Sequence, residues 1–239
     1  LHYRDRRQRQ MCIRDRNLAL AEAKGLDVMT TCATSHAIMC NTAQDMQRDP
    51  VYASTVNNLV ARTSKVEYSG ESQSWHLLHY LVEEIGLDKV RDAVKNPLKM
   101  NIAAYYGPDM QRDGACAGDD PFMPTYMEQL IEALGGHPVD YDSKCMSVGS
   151  TSMLTLEDSS LAMTAAVLSD AIQSGADLVV SACTISHINL DSYQSKAGRV
   201  SGKRTSVPVC HLAELVAFAL GFYPDRLAQL RTRVRLIGS

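Results

Sequence analysis

The chain has 239 residues, 45% of them hydrophobic and 21% charged, with a formal net charge of −3. That length holds one large domain or two modest ones with a real core. The slight negative balance argues against a general nucleic-acid binder, no apolar run approaches a membrane span, and no signal-peptide pattern appears. Seven cysteines scattered through such a chain read as reduced thiols of a cytoplasmic protein rather than as a disulfide framework.

Residues 1–16, LHYRDRRQRQMCIRDR, carry six arginines and no apolar periodicity. They read as a non-native segment, and Cys12 goes with them. From Asn17 the chain becomes protein-like in mid-element: NLALAEAKG is the end of a helix closed by Gly25. An N-terminus lost upstream is expected from that start. A strand over 26–31 and a helix from Ala33 to Arg48 follow, then a helix over 51–63 and a polar loop over 64–74. Trp75 to Ile85 is amphipathic and reads as helix. On it His76 and His79 are spaced for a metal, although exposure or capping explains them better.

A short helix over 88–95 stops before Pro97, and Ile102 to Tyr106 reads as a strand ending at Gly107-Pro108. The loop 107–121 holds Cys116 and the pair Asp119-Asp120, which suits capping of the helix that follows over 123–134. Val139 to Tyr141 is a short strand, 145–152 a Ser/Gly-rich turn with Met146 as gap filler, and 156–173 a long helix. Residues 195–206 read as a basic loop, Val207 to Cys210 as a strand and His211 to Leu220 as a helix. Strands alternating with helices predict an α/β fold with mostly parallel sheets flanked by helices.

One phrase occurs twice. Gly25-Leu26-Asp27 leads through a strand to Cys32-Ala33-Thr34-Ser35-His36. Gly175-Ala176-Asp177 leads through Leu178, Val179 and Val180 to Cys183-Thr184-Ile185-Ser186-His187. Two copies of glycine, strand and C-x-x-S-H suggest an internal duplication. A thiol at a strand–helix junction lies among unpaired backbone N–H groups at the positive end of a helix dipole, which favours thiolate. Cys32 and Cys183 are therefore the candidate catalytic residues. His36 and His187 suit capping or hydrogen bonding at the helix starts better than metal binding, and Cys40 and Cys210 suit core packing.

From Asn17 to about Pro224 the chain resembles the B subunit of heterodisulfide reductase, among the proteins with cysteine-rich CCG domains. The resemblance is carried by NLALAEAKGLDV, HLLHYLVEEIGLDKVRDAVKNPLK, NIAAYYG, GDDP, MEQLIEALGGHPVDY, SGADLVVSACTISHINLDSYQ and PVCHLAEL. It implies two related modules: 17–63 as a remnant of the first and 97–221 as the second, with 64–96 a helical connector and 222–239 a tail. It also implies an iron–sulfur cluster held by one cysteine, a vicinal pair and a C-x-x-C, and a place among the other subunits of an oxidoreductase complex.

Most of those ligand positions are altered here. The first cysteine of the second module falls on Pro108. The vicinal pair falls on Cys145-Met146, or on Ser147-Val148 in a gapless reading, and the C-x-x-C has become Cys183-Thr184-Ile185-Ser186. The cofactor-binding candidates are Cys145, Cys183 and Cys32. Cys145 and Cys183 are the candidate metal ligands, with Cys116 a further position. Three readings follow: a disulfide-reducing or electron-transferring subunit with an altered site, a scaffold subunit that keeps the fold without a cluster, and a single-thiol C-x-x-S redox protein.

Overall fold

The computed structural model describes residues 16–222 apart from Asp113. The arginine-rich segment, Cys12 included, and the tail lie outside the described residues except for Arg16 and Phe222. Helix α1 spans 16–22, followed by β1 (Val28–Thr30), α2 (Ala33–Arg48) and α3 (Pro50–Ser64). Strand β2 (Ser74–His76) opens α4 (Leu77–His79), which continues as a π-helical stretch over Tyr80–Gly86 into α5 (Leu87–Asp92). Strand β3 (Asn101–Tyr105), α6 (Tyr126–Ala133), β4 (His137–Val139) and α7 (Glu157–Gln173) come next. Strand β5 (Leu178–Ser181), α8 (Thr184–Ser192), α9 (Gln194–Ser201), β6 (Val209–His211) and α10 (Leu212–Ala219) complete the order.

All strand pairs among the described residues are parallel, in a two-stranded sheet β1-β2 and a four-stranded sheet β4-β3-β5-β6. The larger sheet is covered on both faces, and period-two alternation decides which side chain goes where. Ile102, Ala104, Leu178, Val180 and Cys210 face one core with Leu130, Ile131 and Leu215. Ala103, Tyr105, Val179 and Val209 face the other with Val167, Leu168 and Leu190. Helices α1 to α3 pack their own core through Leu18, Met39, Val56 and Val60.

Several expectations are corrected. Trp75 belongs to β2, because its backbone pairs in register with Met29 of β1. The stretch 64–96 is therefore not wholly helical. The strand expected at Val139 to Tyr141 lies earlier, with His137 to Val139 pairing with Asn101 to Ala103. The basic stretch 195–206 holds a helix, α9, which buries Ala197 against Leu161 and Ala165 of α7 while Lys196 reaches Glu157 at 2.7 Å. Met146 is 59% exposed and fills no gap. His76 and His79 are buried, at 0% and 2% exposure, rather than surface residues.

The repeated phrase is a repeated structure. Gly25 and Gly175 both take positive φ, +65° and +89°, as glycine does most easily. Both close a helix with matching bonds, Leu26 N–H to the Ala21 carbonyl and Ala176 N–H to the Ala171 carbonyl, each 3.0–3.1 Å. The duplication also extends past the phrase. Thr30 pairs with His76 as Ser181 pairs with His211. Each histidine then caps the helix after its strand, accepting from Leu78 N–H at 3.2 Å or Ala213 N–H at 3.3 Å.

Candidate functional site

Cys32 and Cys183 occupy the N-cap positions of α2 and α8 in almost the same backbone conformation, φ −118° and ψ 113° against φ −127° and ψ 119°. The residue two places earlier supplies a hydroxyl in both copies: Cys32 N–H donates to Thr30 Oγ1 at 3.2 Å and Cys183 N–H to Ser181 Oγ at 3.3 Å. Each carbonyl accepts the first helical bond, from His36 N–H at 2.9 Å and His187 N–H at 2.8 Å. Neither N-cap cysteine makes a side-chain cap bond, and His36 turns away from the helix start expected for it. His36 instead bonds Ser74 Oγ at 3.0 Å and the Ala115 carbonyl at 3.2 Å.

The two junctions meet. Ala33 N–H donates to the Ala182 carbonyl at 3.2 Å, and the two thiols face each other closely enough to perturb each other's ionisation. The surroundings are reciprocal. Cys32 is met by the backbone N–H groups of Ser35 on its own helix and Thr184 on the facing one, Cys183 by those of Ser186 and Thr34. His76 Nε2 donates to the Ala182 carbonyl at 2.9 Å, and His211 faces the Thr31 carbonyl from the other side, although its Nε2 closes no hydrogen bond.

These contacts divide the pair electrostatically. Interaction with Cys183 lowers Cys32 from the ordinary thiol range, against the cost of burial and with help from Ser35 and Thr184. The same interaction, followed by burial, raises Cys183. The direction of both shifts favours a single negative charge on the pair, at Cys32. Two helix N-termini aimed at one thiolate favour the negative charge. Thr34 extends the chain of groups: its hydroxyl lies 3.3 Å from Cys183 Sγ and donates to Asp109 Oδ2 at 2.5 Å. Arg112 anchors Asp109 at 2.9 Å.

Cys145 packs against the same core as Cys32 and Cys183 but does not join them in a group of three that could hold a metal ion. It ends a turn after β4 that crosses to the end of β3, where the Lys144 carbonyl accepts from Tyr106 N–H at 2.9 Å and Gly107 N–H at 3.2 Å, beside Pro108. Burial pushes the Cys145 thiol up to about 11, with Lys144 opposing the shift and Glu128 and Asp119 adding to it. Cys116 sits in the loop over 107–121 and meets Cys40. The acidic pair there does cap: Asp119 accepts from Thr125 and Tyr126, Asp120 from Phe122 and Met123.

An iron–sulfur core needs about four thiolates. Among the described residues no three His, Cys, Asp or Glu side chains come together as a metal site. The pair offers two thiols, with Ser35 and Ser186 at the closing positions of the two motifs. The donor set does not fit a cluster. Sequence reasoning missed Thr34, Asp109 and the facing histidines, because their roles depend on contacts between the two repeats. The recurring His-Leu after β2 and β6 was the available signal.

No family model matches the chain. It is 28% identical over 220 residues to the B subunit of a ferredoxin:CoB-CoM heterodisulfide reductase of Methanosarcina mazei, covering 91% of this chain and 73% of that protein. It is 31% identical over 208 residues to an 8-methylmenaquinol:fumarate reductase membrane anchor subunit of Wolinella succinogenes, covering 86% and 72%. A protein of Archaeoglobus profundus described as like the heterodisulfide reductase B subunit matches at 28% over 226 residues, 89% of this chain and 73% of its own. The fold matches the crystal structure of a hypothetical protein from Helicobacter pylori with a TM-score of 0.71 at 14% identity, over 93% of this chain and 40% of that one. No helix among the described residues is long and apolar enough to cross a membrane.

Proposed function

The chain belongs to the family of the heterodisulfide reductase B subunit and its relatives, and from that premise we propose that it is a subunit of a heterodisulfide-reductase-like oxidoreductase complex whose redox centre is the dithiol of Cys32 and Cys183. One observation carries this reading: the two repeats present one cysteine each, at equivalent helix N-caps, and a backbone bond from Ala33 N–H to the Ala182 carbonyl brings the two junctions together. The thiolate is the nucleophile in thiol–disulfide exchange. Cys32 attacks one sulfur of an organic disulfide, the substrate S–S bond breaks, and one half leaves as a thiolate that takes up a proton. Cys183 gives its proton through the Thr34 hydroxyl to Asp109 and attacks the Cys32 sulfur of the mixed disulfide. The second half then leaves as a thiolate.

The substrate gains two electrons and the cysteine pair becomes a disulfide. An electron-transferring partner subunit returns two electrons, and the proton held by Asp109 goes back through Thr34 to Cys183, which leaves Cys32 as the thiolate again. Cys145 lies outside this exchange.

Reactivity against pH tests the reading. Cys32 is expected to alkylate with iodoacetamide near pH 6, where an ordinary thiol with pKa about 8.5 is nearly inert. Cys183→Ala removes the donor and moves that profile up into the ordinary range. A Cys32 profile already in the ordinary range in the unmodified chain would favour a scaffold subunit that keeps only the fold.

A further inference from the structure

We propose that the cleft between α2, β2 and the turn at 114–117 binds a small, uncharged, planar molecule with amide or lactam edges, a ligand separate from the disulfide handled by the cysteine pair. The cleft has room for about 380 Å³, within the range of small-molecule sites. Its lining sets the ligand class. Trp75 supplies a flat apolar ring, and Gln44, Gln47 and Gln73 supply carboxamides, each able to donate and accept. No lysine or arginine occurs among the described residues that line it, so an anion finds no counter-charge. Glu83 is the lining carboxylate, and its Oε1 is already held by two protein donors, Gly118 N–H at 2.8 Å and the Tyr126 hydroxyl at 3.0 Å, which tie it into the wall.

The histidines in the wall add no positive charge. Burial holds His36 at about 4 and His79 at about 3, so both are neutral near pH 7. Both ring nitrogens of His36 are engaged by Ser74 and Ala115, while the buried Nδ1 of His79 has no hydrogen-bond partner. Hydrogen-bonding capacity is therefore left over in this wall. The cleft also has a fixed relation to the thiols. Cys32, His36, Cys40, Gln44 and Gln47 follow one face of α2 at helical spacing. Gln44 lies about 18 Å along the axis from Cys32, too far for a molecule of this size to reach the thiolate.

Trp75 is the only tryptophan of the chain, so its emission reports the cleft directly. Benzamide, benzoate and benzamidine are titrated into the full chain. The expected result is a saturable change in emission with benzamide, with at least tenfold weaker responses to the benzoate anion and the benzamidine cation. Gln44→Leu, and independently Gln73→Leu, should each weaken benzamide about tenfold while circular dichroism stays unchanged. Cys32→Ser with Cys183→Ser should leave benzamide binding intact, which separates this site from the redox reading. Benzoate or benzamidine binding as tightly as benzamide overturns the ligand class, and no saturable response to any of the three overturns the site.

Discussion

Thr34 Oγ1 lies 3.3 Å from Cys183 Sγ across the two junctions, whereas Ile185, which holds the matching place in the other repeat, has no hydroxyl to offer Cys32. That asymmetry is imposed on two otherwise matching repeats. Thr34 lies two residues beyond Cys32 on α2, yet it serves the cysteine of the facing helix. One thiol is thereby set up as nucleophile and the other as the group that must lose a proton before the disulfide can close.

Thr34→Val tests this division of roles. It keeps the side-chain volume and removes the link between Cys183 and Asp109. Closure of the mixed disulfide should slow by about 100-fold, the lower end of the range for a positioned proton-transfer group, while the first attack by Cys32 is much less affected. Rapid-mixing kinetics with a chromogenic disulfide separate the two phases. Thr34→Ser should retain most of the closure rate. Equal slowing of both phases in Thr34→Val would place the hydroxyl in general support of the fold instead.

The histidine group sets the acid limit of the fold. His36, His76 and His79 form a triangle with ring centroids 5.5–5.8 Å apart. Burial holds them at about 4, 3 and 3, with mutual repulsion adding to the shifts at His76 and His79. The folded values lie below the unfolded value of about 6.5, so the unfolded chain binds more protons as pH falls. Stability is fully present above about 6.5 and is lost as pH drops toward 4, with a slope approaching three protons. Urea midpoints measured from pH 7 to 4 check this. His79→Phe, which keeps an aromatic ring without the titrating group, should flatten the slope, and an unchanged slope would remove this histidine from the account.

Metal loading bears on the donor set. Anaerobic reconstitution of the chain with iron and sulfide should leave substoichiometric iron after desalting and no stable cluster absorbance. Stoichiometric iron and sulfide, lost on Cys183→Ala, would instead establish an altered cluster at the junction.

Much of this site was legible in the residues. The glycine–strand–C-x-x-S-H phrase located both junctions, since a glycine C-cap, a buried strand and an N-cap are local devices with local signals. The extent of the repeat was harder to read. His76 and His211 sit in identical register beside Thr30 and Ser181, but a three-residue strand such as β2 carries too little periodicity to separate it from the helix it enters. Helix α9 was hidden for a related reason: its sequence is mostly polar, and it is held by packing on α7 and by Gly198, whose missing Cβ leaves room for Thr205.

The central claim is that Cys32 and Cys183 form one two-electron couple. Equilibrating the full chain across a series of poised dithiothreitol buffers, trapping with acid and alkylation, and mapping the peptides tests it most directly. The account predicts a single two-electron transition in which one disulfide joins Cys32 to Cys183, abolished by Cys32→Ser or Cys183→Ser with the fold retained. A folded protein in which both residues remain free thiols across the whole series would contradict it.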